Sequence, residues 1–235
     1  LQTISILTPA RRRPNNILRM LSSIKQTKSG EHNIEVIFRV DKDDELLQDK
    51  VFRGECYCLI DPRLYIQFVD GPATFPDLGC LWNECLNVCC GDILMCGGDD
   101  LIFETKDWDR LIVSAFEKFP DEIALVYGND GNFGSSLATH PILSKKAVET
   151  VGWFFPPIGL TYANDNFIFN LYHRLPRLHF MGELSIRHQW DGTNQDDPNY
   201  GRMGGHFDRS HELLSSNEGQ EWIRQAEIKL RKEMR

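Results

Sequence analysis

Gly91-Asp92-Ile93-Leu94-Met95-Cys96-Gly97-Gly98-Asp99-Asp100 is the stretch that decides the fold. Ahead of it, from Leu78, apolar residues and cysteines at 78, 81, 82, 85, 86 and 89 recur at helical spacing. Gly91-Asp92 breaks that helix, and Ile93 to Cys96 then forms a short apolar strand. Two glycines follow, and then two adjacent carboxylates. Ionised groups at the end of an apolar strand repel each other and lose solvation unless a cation or hydrogen-bond donors compensate. A divalent metal bridging phosphate oxygens meets that need, and the glycines let a ligand approach closely. A capped turn accounts for an Asp-Asp pair equally well.

Upstream, the same helix-then-strand rhythm repeats. Thr3 to Thr8 alternates and is β-branched, and it runs through Pro9 and Arg11-Arg12-Arg13 into Pro14. Pro14 opens a helix with Ile17, Leu18, Leu21 and Ile24 inward. Ile34 to Val40 is a second strand ending at Asp41, and Leu64 to Val69 a third ending at Asp70. Downstream, Thr105 is placed to cap a helix whose inward face is Trp108, Leu111, Ile112, Ala115, Phe116 and Phe119, followed by a strand over Ile123 to Tyr127. Ser144 to Val151 reads as a short helix stopped by Gly152, and Asn164 or Thr161 as the cap of another that carries Phe167, Ile168, Leu171, Tyr172 and Leu175 inward. Leu178 to Met181 and Glu183 to His188 read as two closing strands. A polar, glycine-rich run from Asp191 to His211 predicts a mobile loop, and a final helix starts at Asn217. Repeated β-α-β units predict a mostly parallel central sheet flanked by helices, with ligands bound beyond the carboxyl ends of its strands.

Composition narrows the partners. Among 235 residues, 26 Lys and Arg face 34 Asp and Glu, a formal charge of −8, which suits no polyanion and argues against nucleic acid. The Arg11 to Arg13 patch is still enough for a small phosphate-bearing ligand. Seven cysteines, at 56, 58, 80, 85, 89, 90 and 96, lack paired C-x-x-C spacing and read as reduced, mostly buried thiols. A zinc site at Cys80, Cys85 and Cys89 is the less favoured reading, because an amphipathic helix would simply bury them. No apolar run is long enough for a membrane span and the start lacks a secretory pattern, so a soluble cytoplasmic protein is expected.

In order and spacing, the motifs resemble the GT-A glycosyltransferases, particularly those similar to family 2. The residues that carry the resemblance are Ile4-Ser5-Ile6-Leu7-Thr8-Pro9 with Arg11 and Arg13, Val40-Asp41, the Gly91 to Asp100 stretch, Asn164-Asp165, and His188. The resemblance implies a single GT-A-like, Rossmann-like domain over 1–235. Residues 1–103 would form the nucleotide-sugar half and 104–190 the acceptor side, with a flexible loop and C-terminal helix over 191–235. It implies that Thr8, Pro9, Arg11 and Arg13 hold the nucleotide and that Asp41 accepts from a uracil-like imide N–H. Asp99 would contact ribose or sugar, and Asp100 with His188 would bind Mn²⁺ or Mg²⁺ across the diphosphate. Asp165 would be the base that deprotonates a carbohydrate or other hydroxyl acceptor, in an inverting transfer in which a UDP-sugar is the favoured donor.

Each role has a plainer counterpart. Asp41 reads alternatively as a turn carboxylate beside Asp43 and Asp44, Asp165 as a simple first-turn carboxylate, and His188 as a histidine bonded to backbone. Two departures from the pattern stand out: Asn164 where an acidic residue often precedes the base, and Trp82-Asn83 where Arg-Asn is frequent. Arg202 or Arg209 in the late loop, with Tyr200, His206 and Phe207, is the expected replacement for that arginine as a closing lid. Trp153, Phe154, Phe155 and Tyr162 are candidates for stacking on an acceptor sugar, against a competing role in the core. A sugar nucleotidyltransferase would need a glycine-rich loop where Pro9-Ala10-Arg11-Arg12-Arg13-Pro14 stands, and a non-catalytic nucleotide- or carbohydrate-binding module would have no use for Asp165.

Overall fold

The computed structural model describes residues 1–73, 77–189 and 205–234. Its strands are β1 (Thr3–Ala10), β2 (Asn33–Asp41), β3 (Leu64–Gly71), β4 (Ile93–Cys96), β5 (Leu101–Phe103), β6 (Leu125–Asn129), β7 (Ile142–Ser144) and β8 (Leu178–His188). The helices are α1 (Pro14–Thr27), α2 (Glu45–Gln48), α3 (Lys50–Tyr57), α4 (Gly79–Leu86), α5 (Trp108–Phe116), α6 (Lys145–Val151), α7 (Asn164–Arg174), α8 (His206–Ser215) and α9 (Asn217–Glu233).

The strands join in the order β3-β2-β1-β4-β7-β6-β8-β5. From β3 through β4 every pairing is parallel, as the β-α-β reading requires. Beyond β4 the sheet is mixed, which corrects the expectation of a mostly parallel sheet. β7 runs antiparallel to both β4 and β6, β8 is parallel to β6, and β5 is antiparallel to β8. The cause is the connection from β6 to β7, where residues 130–141 hold only a 3-10 turn (Gly134–Ser136). An antiparallel neighbour needs no crossover helix. β5 and β7 escape a periodicity reading because each has three residues. The two closing strands are one: β8 runs through both segments, with an irregularity in its register against Gly128 and Asn129.

Side chains of successive strand residues point to opposite faces, and the core divides accordingly. Ile4, Ile6, Ile93 and Met95 meet residues of α1, α3 and α5 on one face. Leu7, Leu94 and Cys96 meet residues of α4, α6, α7 and α9 on the other. Cys56, Cys85 and Cys96 are buried, Cys80 and Cys89 half-buried, and Cys58 and Cys90 exposed.

Several helix starts differ from expectation. α5 begins after Asp107 and α7 after Ala163, both in the left-handed region, so neither Thr105, Asn164 nor Thr161 is a cap. The Thr105 hydroxyl donates to the Glu183 carbonyl and accepts from the Ser185 amide, clasping β8 instead. α2 and α3 were not anticipated, and Asp44 and Asp49 cap them. Residues 206–211, read as part of a mobile loop, belong to α8, whose Ser210 hydroxyl is buried and accepts from the Tyr162 amide. Most of that loop, with Tyr200 and Arg202, lies outside the described residues. Among the described residues no helix is long and apolar enough to cross a membrane.

Gly97 lets β4 turn towards the ligand side at closest approach to β1. A Cβ there would lie 2.2 Å from Thr8 Oγ1 and 3.0 Å from the Leu7 carbonyl oxygen. Overpacking against backbone costs about 1–3 kcal/mol. Gly97→Ala is therefore expected to lower the urea midpoint measurably, whereas Gly54→Ala, inside α3 with open space around its added Cβ, leaves it unchanged or raises it.

Candidate functional site

The carboxyl ends of β1, β2 and β4 open into a cleft of about 400 Å³, closed on its far side by residues 161–165 at the start of α7. Among its lining residues are Pro9, Arg11, Arg13, Asp41, Asp100, Asp165 and His188. Thr8 and Asp99 stand behind that wall, both fully buried.

Adjacent carboxylates at the end of β4 demanded a compensating charge, and Arg13 supplies one. Its Nε donates to Asp99 Oδ2 at 3.1 Å, its Nη2 lies 2.5 Å from Asp99 Oδ1, and its Nη1 lies 3.4 Å from Asp100 Oδ2. Asp99 is thus held by a forked guanidinium, while Asp100 is left facing the cleft. His188, the last residue of β8, approaches Asp100 Oδ2 with Nε2 at 3.4 Å. Burial alone would raise the Asp100 pKa, but His188 and Arg13 hold it well below the usual carboxylate range. Burial likewise works against the charged form of His188, and Asp100 more than offsets it, so the His188 pKa rises.

Among the described residues no group of three or more His, Cys, Asp or Glu side chains converges as a metal cage. The pair Asp100 and His188 nonetheless fits a divalent ion. Mg²⁺-like ions beside nucleotides use one or two protein ligands and complete their shell with phosphate oxygens and water. An ionised carboxylate and an imidazole side by side at the cleft wall are such a partial set.

Asp41, at the end of β2, is flanked by two guanidinium groups. Its Oδ1 accepts from Arg39 Nη1 at 2.8 Å, and its Oδ2 accepts from Arg11, which also forks onto Asp43 at 2.8 and 3.0 Å. Arg39 is a residue that sequence reasoning missed. Its fully buried side chain also bonds Glu84 and the Pro72 carbonyl and lies over Gly71, where a Cβ would be 2.5 Å from it. The one signal was a cation inside a mostly apolar strand, two residues before Asp41. Asp70, the other strand-end carboxylate, is taken up by Arg53 of α3 at 2.6 Å.

Asp165 lies in the first turn of α7, and its Oδ1 accepts from the Asn166 amide at 2.9 Å. Burial pushes its pKa up to about 6, against the opposing pull of that amide, its own backbone, His211 and His188. Asn164 also lines the cleft and donates to the Leu160 carbonyl at 3.1 Å. Trp82, where an arginine was expected, donates from Nε1 to the Gly97 carbonyl. Asn83 pins the loop before α7 by donating to the Phe155 carbonyl and accepting from the Phe154 and Phe155 amides. Trp153 and Phe154 are core residues, buried in the cluster under α7 and α9, whereas Phe155 and Tyr162 reach the cleft. Phe207 of α8 packs on Tyr162 with ring centroids 5.6 Å apart, and Arg209 is exposed.

Two further residues were not singled out beforehand. Buried Asp130, just past β6, accepts from the amides of Asn132, Phe133 and Gly134 and from the Thr139 hydroxyl, and its carbonyl accepts from the His188 amide. His140 lines the cleft, and burial lowers its pKa to about 3.

No protein-family model and no curated protein sequence matches the chain. Solved structures do. TarS of S. aureus superposes at a TM-score of 0.59 and 13% identity, over 94% of this chain and 41% of that one. The mannosyltransferase PcManGT of Pyrobaculum calidifontis, in complex with GDP-Man and Mn²⁺, gives 0.62 and 13%, over 97% and 69%. Glucosyl-3-phosphoglycerate synthase of Mycobacterium tuberculosis, with Mn²⁺, UDP-Glc and phosphoglyceric acid, gives 0.61 and 15%, over 91% and 79%. The chain therefore spans about two-fifths of TarS. At these identities the likeness shows a shared fold, that of the GT-A glycosyltransferases.

Removing Arg13 would leave Asp99 buried and ionised without its partner, a change that costs about 3–5 kcal/mol. Arg13→Met should show that loss in urea unfolding. Arg13→Met combined with Asp99→Asn should recover much of it, and equal instability of the single and double variants would contradict the pairing.

Proposed function

We propose that the chain is a metal-dependent glycosyltransferase that moves a sugar from a nucleoside diphosphate, a UDP-sugar by preference, to a hydroxyl acceptor with inversion. The observation that carries the proposal is the opposition across one cleft of two unlike carboxylates. Asp100 is kept ionised beside His188 and Arg13, and Asp165 has its pKa pushed up to about 6 by burial. Carboxylates driven apart in this way divide the work between charge stabilisation and proton transfer.

In this reading the nucleotide lies over Pro9 and the ends of β1 and β2, with Asp41, held by Arg11 and Arg39, facing the base. Arg13 sits where it can draw on the diphosphate, and Asp99 acts through Arg13 by fixing its guanidinium. Thr8 supports the Gly97 turn from beneath. Mn²⁺ or Mg²⁺, held by Asp100 and His188, would neutralise the charge that develops on the leaving diphosphate. The acceptor oxygen bonds to the anomeric carbon as the bond from that carbon to the phosphate oxygen breaks, and the acceptor proton passes to Asp165. Phe155 and Tyr162 exclude water on the acceptor side. The raised Asp165 pKa is what favours catalysis over a module that only binds, because binding gives no reason to bury a carboxylate there.

Release of free nucleoside diphosphate from a panel of UDP-, GDP- and dTDP-sugars with Mn²⁺ tests the activity directly. The rate is expected to rise with pH as Asp165 loses its proton near pH 6 and to level off above it. Asp165→Asn should lower kcat by roughly 10²- to 10⁴-fold while leaving the affinity for nucleoside diphosphate unchanged. A variant that turns over like the wild type would remove Asp165 as the base.

A further inference from the structure

His140 follows the turn after β6 and stands in the cleft wall with both ring nitrogens buried and with no hydrogen-bond partner among the described residues. A buried polar group left unpaired forfeits its hydration, and the loss is greater when the site is held rigid. This site is rigid. Asp130 clamps the turn through three backbone amides and takes the hydroxyl of Thr139 at 3.0 Å. On the other side, the Pro141 carbonyl accepts from the Cys96 amide at 2.9 Å, tying the segment to β4. The ring is therefore held in a ligand-sized opening without the hydrogen bonds it would need if the cleft stayed empty.

Its neighbours say which part of a ligand it meets. The His140 ring stands edge-on to that of His188, centroids 5.0 Å apart and planes at 83°, and so lies next to the residue that approaches Asp100. Asp165 lines the same cleft. In a transfer between a diphosphate held at Asp100 and a hydroxyl deprotonated at Asp165, the migrating sugar occupies the space between those two groups. An uncharged imidazole offers one N–H donor and one acceptor nitrogen, the complement of a hydroxyl group.

We infer that His140 is a specificity residue for the transferred sugar, exchanging a hydrogen bond with one of its ring hydroxyls. The inference rests on the glycosyltransferase reading and adds a residue to the sugar-recognition part of the site. Pairing a site built for a hydroxyl discriminates strongly against ligands that lack it.

The test is titration calorimetry with Mn²⁺, comparing UDP and GDP with UDP-glucose, UDP-galactose and GDP-mannose, on wild type, His140→Phe and His140→Gln. The sugar is expected to add affinity over the free nucleotide in the wild type. His140→Phe should weaken the preferred nucleotide-sugar about tenfold or more while changing the affinity for free nucleotide less than about twofold. His140→Gln, which keeps a donor and an acceptor, should recover part of the loss, and the melting temperatures report whether each variant is folded. A loss equal for free nucleotide and nucleotide-sugar would assign the ring to the diphosphate and overturn the inference. So would an unchanged nucleotide-sugar affinity in His140→Phe, or a sugar that adds nothing in the wild type. Failure of wild type to bind any nucleotide would instead remove the parent reading, and this inference with it.

Discussion

The forked contact of Arg13 with Asp99 is the interaction on which the site depends. Without it, two neighbouring carboxylates at the end of a buried strand could not both remain ionised, and the turn after β4 would lose its geometry. The pair also joins chain segments far apart in sequence, because Arg13 leaves β1 and Asp99 leaves β4, the parallel neighbours at the centre of the sheet. Neutralising Asp99 from behind frees Asp100 to face the cleft. The division of labour between these two residues is therefore set by which of them the arginine takes.

The same pattern of buried charge answered by a fixed partner recurs around the cleft. Arg39 and Arg11 hold Asp41, Asp130 holds the turn that leads to His140 and accepts the amide of His188, and Asn83 fixes the loop that leads to Asp165. Since the cost of leaving any one of these groups unpaired is large, the arrangement is rigid before a ligand arrives, which is the state in which oriented charge acts most effectively on a reacting group.

Much of this could be read from the chain before folding. The strand ends at Asp41 and at Asp99-Asp100, the Pro14 start of α1, and the order of motifs from Thr8 to His188 were legible because local periodicity and turn residues mark them. Pairings that depend on distance in sequence were not legible. The mixed half of the sheet was hidden because β5 and β7 are three residues long and their direction follows from a connection without a helix. Arg39, Asp130 and His140 carry no motif, and only the sheet brings them to one place. The aromatic run at 153–155 misled in part, since Trp153 and Phe154 face the core and only Phe155 turns to the cleft.

The central claim is that Asp100, kept ionised by His188 and Arg13, shares a divalent cation with a pyrophosphate. Calorimetric titration of UDP and GDP into wild type and Asp100→Asn, each with Mn²⁺ and again with a chelator, measures that coupling most directly. If the claim holds, Mn²⁺ strengthens nucleotide binding to the wild type and that gain disappears in Asp100→Asn. Nucleotide affinity that is indifferent to Mn²⁺ in the wild type, or a gain that survives the substitution, would contradict it.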